Sequence, residues 1–208
     1  MRLYYTPWLF RKFYPKEVIW QIPTKKKILY LTFDDGPTTE VTNWILSILD
    51  EYNAKATFFC VGENVAKYPE ICSELIDKSH AIGNHTYNHR NGWKTGIVDY
   101  AENTAKAKSL IKSNLFRPPY GKIKRSQARL LNNLGYDIIL WTVLTYDFDK
   151  NPDKNEAWEK IVKYSKPGSI LVFHDHLKAF ENLKELLPKT LAYFASLGYK
   201  FEKIPLNW

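Results

Sequence analysis

The feature that most restricts this chain of 208 residues is an alternation. Seven short β-rich runs are separated by segments of helical periodicity, which is the mark of βα units and a parallel sheet. The runs fall at 27–33, 56–61, 80–83, 115–117, 137–143, 169–173 and 200–204. Ile28-Leu29-Tyr30-Leu31 and Ile138-Ile139-Leu140-Trp141 are almost continuously apolar, as strands buried on both faces are. Helical segments are expected at 40–52, 69–78, 97–113, 125–134, 155–165 and 180–197. In the first of these Val41, Ile45, Ile48, Leu49 and Tyr52 recur on one face, and in the last Pro188 should kink the helix or open its second half. No linker or repeat interrupts the pattern, so a single domain is expected over 1–208, its motif-bearing region at about 27–204 behind an N-terminal extension of 1–26. Such units close into a barrel or remain an open doubly wound sheet. In either case function belongs at the C-terminal ends of the strands.

The first run leads into Thr32-Phe33-Asp34-Asp35-Gly36-Pro37. Two adjacent carboxylates ending an apolar strand are costly unless each finds a partner. The third run leads into His85-Thr86-Tyr87-Asn88-His89, whose histidines at i and i+4 would share one face of a helical turn and reach one metal ion. Two imidazoles and a carboxylate leave positions open for water and substrate, which is the pattern of a catalytic zinc site. On the residues alone the carboxylate is Asp34 or Asp35, and the other is left where a general base must stand. Arg117, stiffened by Pro118 and Pro119, could pair with that free carboxylate. His174 ends the sixth run and could serve as general acid, while Asp175 and His176 offer a rival second metal pair.

The formal charge of +8 invites an anionic partner, but no element gathers basic and aromatic residues into a nucleic-acid motif, so no nucleic acid is expected. Lys25-Lys26-Lys27 and the helix lysines read as solvated faces, with an anionic envelope polymer or a membrane surface as the remaining candidates. No apolar run approaches the ~20 residues of a membrane-spanning helix. The opening MRLYYTPWLFRKFYPKEVIW breaks each hydrophobic stretch with Arg, Lys or Pro, unlike a signal peptide. The simplest expectation is a cytoplasmic protein, with peripheral envelope association as the alternative. The aromatic and basic residues of this opening should pack across the domain, resting on a membrane surface being the other use. Cys60 and Cys72 lack metal-site spacing, and Cys60 reads as a buried thiol. Oligomeric state is not legible.

The motifs, in this order, closely resemble those of the polysaccharide deacetylases, carbohydrate esterase family four, over about 27–204. The resemblance implies a distorted (β/α)7 barrel and an N-deacetylase of chitooligosaccharide or peptidoglycan type that takes one divalent metal, zinc before other ions. The family's TFDDGP segment falls on Thr32 to Pro37, implying Asp34 as base and Asp35 as metal ligand. Its H(S/T)xxH segment implies His85 and His89 as the other ligands. Its RxPY segment falls on Arg117 to Tyr120, which carries Pro118 and Tyr120 over as substrate contacts, the Tyr120 N–H facing an oxyanion. Its LxH segment falls on Val172 to His174, with His174 as acid. The remaining motif is partial: Leu144 and Phe148 stand where the family has Asp and Trp, while Asp147 is kept to orient His174, Asp149 being the choice in a shifted register. Phe148 and Val172 would wall the acetyl methyl. Hydrolysis of an O-acetyl ester or another amide by the same groups, and a silent carbohydrate-binding module, are the competing readings.

Overall fold

The computed structural model describes residues 2–151 and 153–205. Nine strands, β1 (Val18–Ile19), β2 (Ile28–Asp34), β3 (Ala56–Cys60), β4 (Ala81–Asn84), β5 (Leu115–Phe116), β6 (Asp137–Ile139), β7 (Val143–Leu144), β8 (Ile170–His174) and β9 (Lys200–Phe201), are all parallel to their neighbours. Their order is β1-β6-β5-β4-β3-β2-β8-β7, with β9 against β2. β6 and β7 are three residues apart in the chain yet stand towards opposite ends of that path, so the sheet must curl until its ends meet. The result is the expected α/β architecture, a curled parallel sheet of the distorted (β/α)7 barrel type.

The run expected at 137–143 is therefore two strands. Its backbone changes neighbours midway: Leu140 N–H donates to Ile19 O at 2.8 Å, and Thr142 N–H donates to Ile170 O at 3.0 Å. The extension fills this seam. β1 lies along β6, Tyr5 bridges Val143, and Gln21 bridges Ser169. Tyr4, Val18 and Ile22 are buried there, as expected of packing across the domain. The expectation fails for the short helix α1 (Trp8–Arg11), none of whose residues is buried. One turn raised off the seam has no second layer to cover it.

The helices α2 (Val41–Glu51), α4 (Pro69–Asp77), α5 (Ile97–Lys108), α6 (Arg125–Asn133), α7 (Lys154–Tyr164) and α8 (Phe180–Ser196) follow the expected segments, and α8 runs through Pro188 as one helix. The turn-and-a-half α3 (Gly62–Lys67) was not expected. Along β2 the period of two sorts the side chains. Phe33 faces outward and stacks on Phe58 and Phe173, with ring centroids 4.9 and 5.9 Å away, in a core shared with Ile45, Leu49, Leu183 and Leu187 of the helices. Thr32 and Asp34 face inward, where the fully buried Arg117 meets both.

Candidate active site

A cleft of about 950 Å³ opens where β2, β4 and β8 end, and Asp34, Asp35, His85, His89 and His174 all line it. Arg117 Nη1 donates to Asp34 Oδ1 and to Thr32 Oγ1, each at 2.7 Å. Its Nε and Nη2 donate to the carbonyls of Ile139 and Leu140 at 3.2 and 3.3 Å, and the guanidinium lies 4.0 Å over the Phe59 ring. Burial lowers the Arg117 pKa, and the Asp34 carboxylate beside it opposes that. Asp34 Oδ1 is thereby fixed on an inner wall.

Asp35 turns the other way because its backbone is left-handed, with φ 85°. Its N–H donates to Phe59 O at 3.3 Å, and its carbonyl accepts from Asn64 Nδ2 at 2.7 Å. The same turn needs Gly36, where a Cβ would collide with the Asp175 carboxylate that receives the Gly36 N–H at 2.8 Å. Asp175 also accepts from Thr42 Oγ1 at 2.8 Å and is 1% exposed, so it does not join His176 in a second metal pair. His176 instead accepts from Ala179 N–H through Nδ1, which leaves its protonated Nε2 facing Asp35 Oδ2 at 3.4 Å.

The histidine pair does not sit on a helical turn. After β4 the chain loops through left-handed Thr86 (φ 63°) and His89 (φ 55°), held by Asn84 Oδ1 on Thr86 N–H and by Asn103 Oδ1 on Tyr87 N–H. Side-chain acceptors replace helix hydrogen bonds, and the loop still brings His85 and His89 together, with ring centroids 5.1 Å apart. His85 Nδ1 is 2.7 Å from Arg117 O. A carbonyl only accepts, so that nitrogen carries the proton and Nε2 presents a lone pair. This lone pair faces Asp35 Oδ1 at 3.6 Å, His89 Nε2 faces it at 3.0 Å, and Oδ1 is buried without an aligned hydrogen-bond donor. Burial holds His85 down at about pKa 4, aided by His89 and Arg117 and opposed by the two aspartates. For Asp35, burial pushes the carboxyl up, and His89, His174 and His85 together outweigh it and lower the pKa. A carboxylate oxygen and two imidazoles, mutually within 4.8 Å, are a donor set that a divalent cation fits.

The family model for polysaccharide deacetylase matches residues 21–139 of this sequence, which include the aspartate pair, the histidine pair and Arg117. The chain belongs to the polysaccharide deacetylase family. It is 33% identical over 193 residues to a peptidoglycan-N-acetylglucosamine deacetylase of Bacillus cereus, covering 88% of this chain and 69% of that one. A crystal structure of a peptidoglycan N-acetylglucosamine deacetylase, in complex with 4-naphthalen-1-yl-N-oxidanyl-benzamide, superposes with a TM-score of 0.86 at 30% identity, covering 97% and 96% of the two chains. The fold is also similar, with a TM-score of 0.77 at 25% identity over 90% of this chain and 67% of the other, to a CE4 family pseudoenzyme from Bacillus anthracis.

On the opposite wall of this deacetylase, His174 Nδ1 lies 2.8 Å from Asp147 Oδ1, and His174 N–H donates to Asp147 Oδ2 at 2.8 Å. Thr145 Oγ1 donates to the same carboxylate at 3.0 Å. Burial lowers the His174 pKa, but Asp147 outweighs it and raises the value to about 9. Asp149, the choice in the shifted register, pairs with Arg2 at 2.6 Å instead. Leu144, Phe148, Val172 and Tyr120 all face the cleft, Phe148 with its ring 4.8 Å from His174. Pro118 does not: it is buried, accepting the Gly121 N–H at 3.0 Å, so that its role is to set the turn that presents Tyr120. Asn64, Asn103 and Tyr146 hold or line the site without any sequence signal, since their partners are distant in the chain.

Proposed function

We propose that this polysaccharide deacetylase hydrolyses the N-acetyl group of N-acetylglucosamine residues in an oligo- or polysaccharide of chitooligosaccharide or peptidoglycan type, giving acetate and a free amine. One observation carries the reading. A fixed carboxylate, Asp34, stands beside the Asp35, His85 and His89 donor set and across one cleft from a protonated imidazole, His174. Asp35, His85 and His89 would hold a divalent ion, zinc in the first place, which would supply Lewis acidity there.

The chain's own groups do the rest. Asp34 takes the proton of the attacking water, and Arg117 keeps its Oδ1 aimed. The Tyr120 N–H, in a turn with φ 62° at that residue, is the donor for the developing oxyanion. His174 delivers a proton to the departing nitrogen, without which the amine is a poor leaving group. Asp147 on Nδ1 fixes the tautomer, so the transferable proton sits on Nε2. Phe148, Leu144 and Val172 exclude water and accept the acetyl methyl.

Likeness to a pseudoenzyme supports the competing reading of a silent saccharide binder, and the filled base, acid and ligand positions weigh against it. Acetate release from N-acetylglucosamine oligomers, measured beside acetylated xylan, tests the proposal. Release from the oligomers alone is expected. Release from the xylan alone favours an O-acetyl esterase, and saccharide binding without turnover favours the silent module.

A further inference from the structure

We propose that the N-terminal extension docks the protein on an anionic lipid bilayer through Trp8, Leu9, Phe10 and Phe13. These four side chains are 64%, 55%, 52% and 74% exposed, within six consecutive residues. Scattered exposed apolar residues need no explanation, but four large ones on one turn and its flank form a patch. The sequence on and beside this turn is mostly cationic, with Arg11, Lys12 and Lys16 against one acid, Glu17, in a stretch of 1–33 that holds seven Lys or Arg, of which Arg2 is paired with Asp149. The Lys12 ammonium lies 4.2 Å over the Trp8 ring, which sets a cation on the apolar patch.

Aromatic and aliphatic side chains set among cations are what an interfacial lipid anchor requires. An anionic polymer would engage the cations and leave Leu9 and Phe13 without a use. A second copy of the chain would bring a like charge of +8 to the contact. The topology also suits a bilayer. Tyr5 is antiparallel to Val143 and Thr6 N–H donates to Thr142 O, so the chain beyond Thr6 runs away from the cleft end of β7, rejoining the sheet at Val18 opposite Ile138. Docking through 8–13 leaves the cleft open.

The test is flotation of the full chain with vesicles of phosphatidylcholine alone and of equal parts phosphatidylcholine and phosphatidylglycerol. Wild type should float with the anionic vesicles only. The triple variant Trp8→Ser/Phe10→Ser/Phe13→Ser should lose binding by at least about tenfold, and Arg11→Gln/Lys12→Gln by roughly fivefold per cation, an effect that salt abolishes. Turnover of soluble N-acetylglucosamine oligomers should be unchanged in both variants, which shows that they are folded. Absence of wild-type flotation, equal flotation of the triple variant, or a wild-type dimer that the triple variant converts to monomers would each overturn the proposal.

Discussion

Asp34 and Asp35 are neighbours in sequence and opposites in environment. Asp34 stays in the extended strand and is captured by Arg117, while Asp35 adopts a left-handed backbone and faces two imidazoles. The two residues therefore have separable tests. Arg117→Ala leaves Asp34 charged, buried and unpaired, which costs about 3–5 kcal/mol. At roughly 2–4 °C per kcal/mol for a domain of this size, thermal unfolding should shift down by about 10 °C. His85→Ala should abolish metal content and activity together, read by metal analysis of the purified protein. Asp147→Asn acts through pH. The folded His174 pKa is raised to about 9, above the usual 6.5, so the protonated acid, and the stability its ion pair adds, persist below that range and are lost as pH rises through about 9. In the variant the alkaline limb of kcat/KM should move down by a unit or more, and an unmoved limb would dissociate His174 from the acid role.

At the scale of elements, the sequence made the parallel strands and the main helices legible because their periods survive folding. Asp34, Asp35, His85, His89 and His174 were legible too, since each ends or follows a β-run and chemistry at the C-terminal ends of strands needs those residue types. Three things were not. The apolar run from Asp137 to Val143 gives no sign that its hydrogen-bonding neighbours change at Leu140–Thr142. The His85–His89 spacing suggests a helix, and only the Asn84 and Asn103 side chains, paired across the fold, make it a loop. Pro118 and Tyr120 share a motif, but burial separates the one that shapes the turn from the one that meets the cleft. The extension packs across the domain as its aromatic residues suggest, and Tyr4, Val18 and Ile22 seal the seam of the curled sheet. Deleting residues 1–22 should expose the β6 and β7 edges and lower the unfolding midpoint by more than the roughly 2–4 °C of a typical single substitution. An unchanged midpoint would show the barrel closing without it.

Across the whole molecule, charge and chemistry are partitioned. Acids and imidazoles converge on one cleft, while six of the eight net positive charges fall within the first 33 residues of the sequence, which also carry an exposed apolar turn. No helix among the described residues is long and apolar enough to cross a membrane. The central claim is that Asp34 is the base beside a metal-binding Asp35, His85 and His89 set. Acetate release from N-acetylglucosamine oligomers, measured with metal content for wild type and Asp34→Asn in parallel, tests it most directly. The account predicts equal metal in both proteins, with release lowered in the variant by roughly 10²- to 10⁴-fold. Equal metal with undiminished acetate release in Asp34→Asn would contradict it.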